Sequence, residues 1–438
     1  MGRERLRRTR LAVLAGAGTL ALTACATGID DARPVAGPGD AGKPSGTASL
    51  TPRSPASGSA SPAPTPRSSG PASPTPHSSE SASPAPDGGP SPTPSASIGP
   101  SEGTLRVLTF QGHVEYGGAS PEVNWVTAFE RDSGCRVATL DRVRTSEEME
   151  AKLDAGAYDV ISPSPDLAGA LIAEGRAAPV DTALVKGYND IPARLRELPA
   201  LRSGDRVYGV PYLWGVNQVV HGGGRYGGPR ALYTAGPAAI RDTPLSIADA
   251  ALVLKETEPA LGIDDPFQLT PEQLGAAEKL LAERDGADRV YWRDPIELIR
   301  AIAGGSVRLA QAWPYHADLF ERAKRPVRTF GGVPMTGWAD SWMLTAEPAS
   351  PNCAYRWLNW VTSPEVQSSV AAWTGLAPAN PEGCTGRARA VCDLYRLKDE
   401  SWSRRVFFAA RPSRDCGGLE GECTDYTDWV SRWRKLVG

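Results

Sequence analysis

Apolar positions are spread unevenly along the chain, and their spacing divides it into three parts. Arg3, Arg5, Arg7, Arg8 and Arg10 lead into an apolar stretch from Leu11 to Leu22. That stretch is too short to span a bilayer stably and has the flanks of a secretory signal. Residues 26–103 are dominated by Ser, Pro, Ala, Thr and Gly, with almost no large apolar side chain to bury. Such a segment cannot offset its ordering entropy, so a disordered tether with polyproline II tendencies is expected. From Thr104 onward, short β-branched runs alternate with capped amphipathic segments. "TLRVLTF" reads as a strand, Ser120-Pro121-Glu122 opens a helix that Gly134 ends, and "CRVATL" is a second strand. Thr145 or Ser146 starts the next helix, Gly156 closes it, "YDVI" is a third strand, and Pro165 starts a helix towards Glu174. The period is βαβαβ, which implies a parallel sheet with helices on its faces.

Further along, Thr270-Pro271-Glu272-Gln273 is a capping box opening a helix to about Arg284, and Asp294-Pro295 opens another to about Ala303. "VRLAQAW" reads as a strand; "NCAYRWLNWVT" and, after Ser363-Pro364, "EVQSSVAAWTG" read as helices. About 335 residues, 104–438, exceed the usual single core, so two α/β lobes are expected. In open α/β sheets ligands lie outside the carboxyl ends of strands. That rule selects Gln111 to Tyr116, Ser162 to Asp166, Trp313, and the segment from Trp338 to Asp340 as one cleft.

Composition narrows the setting. Leu22-Thr23-Ala24-Cys25 resembles a bacterial lipobox, in which the cysteine is lipidated and becomes the new N-terminus; Arg7-Arg8 leaves the export route open between Sec and twin-arginine. After Cys25 six cysteines remain, an even number that suggests disulfides in an exported chain without naming their pairing. With 47 Lys and Arg against 50 Asp and Glu, the formal charge of -3 gives no nucleic-acid signal.

Catalytic constellations are scarce. Of four histidines, His77 lies in the tether and His113, His221 and His316 are scattered, so no metal site is signalled. "GGGRYG", Gly222 to Gly227, satisfies a GxGxxG pattern, but Pro229 follows where a helix should start, and a flexible loop is the plainer reading. Tryptophan is the positive signal. Trp125, Trp357, Trp360 and Trp373 sit at helical spacings and read as packing residues, as do Trp429 and Trp433 in a terminal helix. Trp313 and Trp338 fall at strand ends or in crossing segments. A cation with an apolar stem is held by aromatic walls, by cation–π attraction of ~0.5 to 2 kcal/mol and by a charge-assisted bond to a carboxylate such as Asp340.

On these residues, the segment from Thr104 to the C-terminus resembles the extracellular solute-binding proteins of the spermidine/putrescine type, receptors of ABC importers. "YDVISPSPDLAGALIAEGRAAPVD" is similar to the family's strand, Pro-Ser turn and helix; "VYGVPYLWGVNQVV" to its interlobe crossing; "WADSWML" and "TGLAPAN" to its return to the first lobe. The resemblance implies a two-lobed α/β fold of the periplasmic-binding-protein type II, with lobe 1 at about 104–213 and 338–380 and lobe 2 at about 214–337 and 381–438. It implies that Trp338 and Asp340 grip a protonated amine, that Trp313 is the aromatic wall of the second lobe, that Ser164 and Tyr116 line the first, and that Asp249 meets another amine. Tyr212 and Trp214, in the crossing, are further contacts or hinge packing. Gln111-Gly112-His113 stands where an aromatic is usual, Leu252 where a second acid often sits, and Leu376 in place of a tyrosine. With fewer carboxylates, a short diamine, a monoamine or another small cation is as well accommodated as spermidine. The expected protein is a lipid-anchored, monomeric receptor on the extracellular face. It would pass a polyamine to a permease and its ATPase, with no cofactor and no catalysis. Another solute in the same fold (a thiamine-like cation, a metal chelate, a sugar), an exported enzyme and a surface sensor are the alternatives.

Overall fold

The structure is a computed structural model that describes residues 97–118, 120–284, 286, 288–416 and 422–438; the expected signal, Cys25 and most of the tether lie outside the described residues. Two sheets organise the chain. The larger runs in the order Ala377–Pro378, Gly209–Val216, Met335–Thr345, Val160–Ile161, Thr104–Phe110, Arg136–Val143, with Ala177–Ala178 and Val406–Phe408 also pairing with the long strand Met335–Thr345. Thr104–Phe110 pairs in parallel with both its neighbours, whereas Met335–Thr345 runs antiparallel between Val160–Ile161 and Gly209–Val216. The smaller sheet runs Arg289–Trp292, Ala238–Arg241, Leu309–Ala312, Gln218–His221, Arg328–Thr329.

Two strand-to-strand passages join these lobes. Gly209–Val216 belongs to the first sheet and Gln218–His221 to the second, so Asn217 is the crossing; the return falls between Arg328–Thr329 and Met335–Thr345. The expected boundaries at 213 and 338 therefore fall inside strands, and both strands stay in lobe 1 along their whole lengths, because their backbone groups pair with each other from Gly209 to Val216. Residues 377–408 likewise belong mostly with lobe 1 through the pairings of Ala377–Pro378 and Val406–Phe408, not with lobe 2 as expected. A third passage then carries the chain to the helix Tyr426–Val437, which packs on the lobe-2 helix Pro271–Ala282 and ties to it through Arg432 and Glu278.

Local signals explain where helices begin. Thr270 and Gln273 form the reciprocal capping box, Asp294 and Glu297 another, and Thr145 accepts from the Glu148 N–H. The helix expected at Pro121 starts later, at Val126, and residues 120–125 form a turn instead. Trp125, Trp357, Trp429 and Trp433 are core residues, but Trp373, expected to pack, is 42% exposed. Gly222 to Gly227 is a loop, with Gly223 and Gly224 at positive φ. The six cysteines pair as Cys135–Cys353, Cys384–Cys392 and Cys416–Cys423; the first ties the edge strand Arg136–Val143 to the helix Pro351–Val361 within lobe 1. No helix among the described residues is long and apolar enough to cross a membrane.

Candidate functional site

The lobes meet over two indoles. Met335–Thr345 alternates its side chains, so Thr336, Trp338 and Asp340 share one face of the strand. Trp338 can lie flat against the neighbouring strand only because residue 215 is glycine: a methyl group there would come within 2.5 Å of its ring. From lobe 2, Trp313 follows the strand Leu309–Ala312 at its carboxyl end, and its ring centre lies 5.3 Å from that of Trp338. His316, under Trp313, accepts the Trp313 backbone N–H through Nδ1 at 3.0 Å and stacks on Tyr315. On the lobe-1 side, Gly375 ends a helix at φ 72°, where a Cβ would come within 2.9 Å of the Tyr315 Cβ. The cleft is thus nearly shut along this line.

Asp340 is buried, with 6% of its surface exposed, and its carboxylate has no hydrogen bond among the described residues. His113 Nε2 lies 3.6 Å from it. Burial pushes the Asp340 carboxyl up to about 8 against the pull of the Arg241 guanidinium, and burial holds His113 down at about 3. At neutral pH the pair therefore carries no opposite charges to share. Trp338 Nε1 and His113 Nδ1 are also buried without partners among the described residues.

Asp249 is different. It sits in the first turn of the lobe-2 helix Ser246–Thr257, where Thr336 donates to it at 2.6 Å, Gln311 at 2.7 Å and Asn217 at 3.5 Å. Burial still raises it to about 7, but its oxygens are occupied. Because Asn217 and Thr336 mark the two passages between lobes, Asp249 acts as a clasp on the hinge, and Asn217 Oδ1 in turn accepts the Trp313 indole N–H at 3.2 Å. A cavity of about 910 Å³ opens behind this clasp; it shares Asn217, Asp249 and Gln311 with the cleft but neither indole nor Asp340.

The remaining expected contacts are placed as follows. Ser164 donates to Asp166 at 2.7 Å and shares a 2.6 Å bond with Ser146, so its hydroxyl is engaged within lobe 1. Tyr116 is away from the cleft: it is 38% exposed and donates to Glu130 and to the Val137 carbonyl, at the opposite end of the strand from the carboxyl edge. Tyr212 is fully buried behind the site, its hydroxyl donating to the His113 carbonyl at 2.9 Å, which positions the loop beside Asp340. Trp214 points to the face of the sheet opposite Trp338 and Asp340, against Tyr395, Trp402 and Phe408, because it pairs with Ala339, whereas Trp338 and Asp340 pair with Gly215 and Leu213.

Sequence reasoning missed Arg241. It ends the strand Ala238–Arg241, beside Leu309–Ala312 at the same carboxyl edge, and its guanidinium lies 5.2 Å from the Trp313 ring centre and 5.8 Å from that of Trp338. The carboxyl-end rule would have selected it had "AAIR" been read as a strand. Tyr426 and Arg411 were missed too: Tyr426 donates to Asp166 at 2.9 Å and Arg411 to its backbone carbonyl at 3.1 Å, anchoring the third passage on lobe 1.

No family model matches the chain. A putrescine/agmatine-binding protein of Pseudomonas aeruginosa is 25% identical over 275 residues, which is 58% of this chain and 74% of that protein. A spermidine/putrescine ABC transporter substrate-binding protein from Streptococcus pneumoniae superposes with a TM-score of 0.57 at 16% identity, covering 76% of this chain and 99% of the other. A lipoprotein of Treponema pallidum superposes with a TM-score of 0.58 at 15% identity, covering 76% and 99%. The chain has the two-lobed α/β fold of ABC-transporter substrate-binding proteins, and in sequence it resembles those of the spermidine/putrescine type.

Proposed function

We propose that this protein is the substrate-binding component of an ABC importer and captures a small protonated amine between its lobes. The observation that carries the reading is Asp340, a buried carboxyl group without a hydrogen bond among the described residues, on the same strand face as Trp338, whose ring meets that of Trp313. An ammonium group is what such a site lacks: it offers a charge-assisted bond to the acid and an apolar stem to the indoles. Closure of the lobes excludes water and strengthens that bond, and it gives a permease with its ATPase a way to tell loaded from empty protein. Binding of putrescine or agmatine by the Pseudomonas relative supports an amine ligand here. Cys25 is the proposed lipid attachment point, which with the Ser/Pro-rich tether would hold the receptor on the extracellular face of the membrane.

Calorimetric titration of the purified protein with amines tests this. Asp340→Asn should weaken the amine that binds by at least about tenfold, since a buried charge then loses its partner. Wild-type affinity in that variant would remove Asp340 from the site.

A further inference from the structure

The place where an amine would stack already holds a cation of the protein's own. The Arg241 guanidinium faces both indoles, at 5.2 Å from the Trp313 ring centre and 5.8 Å from that of Trp338. Its backbone is satisfied, the N–H donating to Gln311 Oε1 at 2.8 Å and the carbonyl accepting from Ser246 at 2.7 Å. The guanidinium is not: among the described residues it makes no hydrogen bond and no ion pair. Guanidinium carries five N–H donors in a planar fork suited to a carboxylate, and it stays protonated even where burial lowers its pKa.

Three acids feel this charge, Asp340 foremost, then Asp166 and Asp249. Asp249 is held by Thr336, Gln311 and Asn217, and Asp166 by Ser164 and Tyr426. Of the three, Asp340 alone has no hydrogen bond among the described residues. Were Arg241 a simple counterion or a plug for the acids, its fork would lie against one of them, because bidentate pairing is the strongest contact open to it. It rests on the rings instead. Among the described residues the cleft therefore holds an acid and a guanidinium, neither of them hydrogen-bonded, near the same pair of tryptophans, together with the buried, unpartnered Trp338 Nε1.

We infer that the ligand is a zwitterion, an amine for Asp340 that also carries a carboxylate for Arg241, of the amino acid class. This rests on the reading that an amine binds at Asp340. A diamine would satisfy Asp340 but bring its second ammonium towards a fixed like charge; an amino acid fills both vacancies and leaves no buried charge unpaired.

Matched ligands decide it: titrate the wild-type protein with putrescine against 4-aminobutanoate and cadaverine against 5-aminopentanoate, then repeat with Arg241→Gln and Asp340→Asn. The wild-type protein should bind an amino acid at least about tenfold more tightly than its matching diamine, and Arg241→Gln should erase or reverse that preference. The ligand comparison in the wild type stands even if a variant folds poorly, which a thermal transition would reveal. Diamines that bind as well as or better than their amino acids, or a preference untouched in Arg241→Gln, would overturn the inference. If diamines win and Asp340→Asn weakens them, the amine site survives without its carboxylate partner; if neither class binds the wild type, both readings fall.

Discussion

Asp249, half-buried, and Asp340, buried, are acids near the same guanidinium, yet they are built for different ends. Asp249 takes bonds from Thr336, Gln311 and Asn217 and so clasps both passages between the lobes. Among the described residues Asp340 takes none, and a neutral histidine lies 3.6 Å from it. Burial raises both, to about 7 and about 8. A shifted acid is therefore not by itself a ligand site. What separates the two is whether the fold supplies the donors or leaves them to an incoming molecule.

The sharpest way to break this contrast is truncation. Asp249→Ala should destabilise the protein by about 1–3 kcal/mol, because buried donors lose their acceptor, whereas Asp340→Ala should leave the empty protein as stable or more so. Denaturant unfolding of the two variants checks this, and equal losses would erase the distinction. Proton linkage comes next. Asp340 holds its proton in the empty cleft at pH 7, so capture of an ammonium should release up to about one proton, and affinity should rise with pH towards about 8. For the empty protein the sign is opposite: the folded state binds more protons than the unfolded chain, so stability should fall as pH rises between 3.8 and about 8. Calorimetry in buffers of different ionisation heat measures the proton, and Asp340→Asn should abolish its release.

A smaller effect should follow from Gly215→Ala. The added methyl pushes the Trp338 ring from its seat, which should weaken ligand binding by about three- to tenfold and shift tryptophan fluorescence, with the Asp249 clasp untouched. Tyr116→Phe should change least. Its hydroxyl bonds to Glu130 and Val137 far from the cleft, so binding should be unaltered and stability should move by no more than about 0.5 kcal/mol. A binding defect there would return Tyr116 to the site.

Periodicity and capping made much of the fold legible. Thr270-Pro271, Asp294-Pro295 and Thr145 start helices where their local chemistry says, since a cap depends only on residues within one turn. The same locality exposed Trp338 and Asp340, which stand two apart on one strand and so share a face. Tyr116 and Trp214 misled because chain position near a strand end does not say which way a loop folds or which face a neighbouring residue takes. Arg241 escaped because its strand has four residues, of which three are small or apolar, and carries no turn signal of its own.

By itself, then, the sequence determined the alternation of strands and helices, the two-lobed class, and a lone acid flanked by indoles, all properties of residues near each other in the chain. Tertiary structure alone decided which acid is satisfied and which is not, that Gly215 seats Trp338, and that Arg241 from one lobe reaches the rings that Trp313 and Trp338 bring from both. Charge balance in a buried cleft is a sum over groups far apart in sequence, and it exists only once the lobes have met.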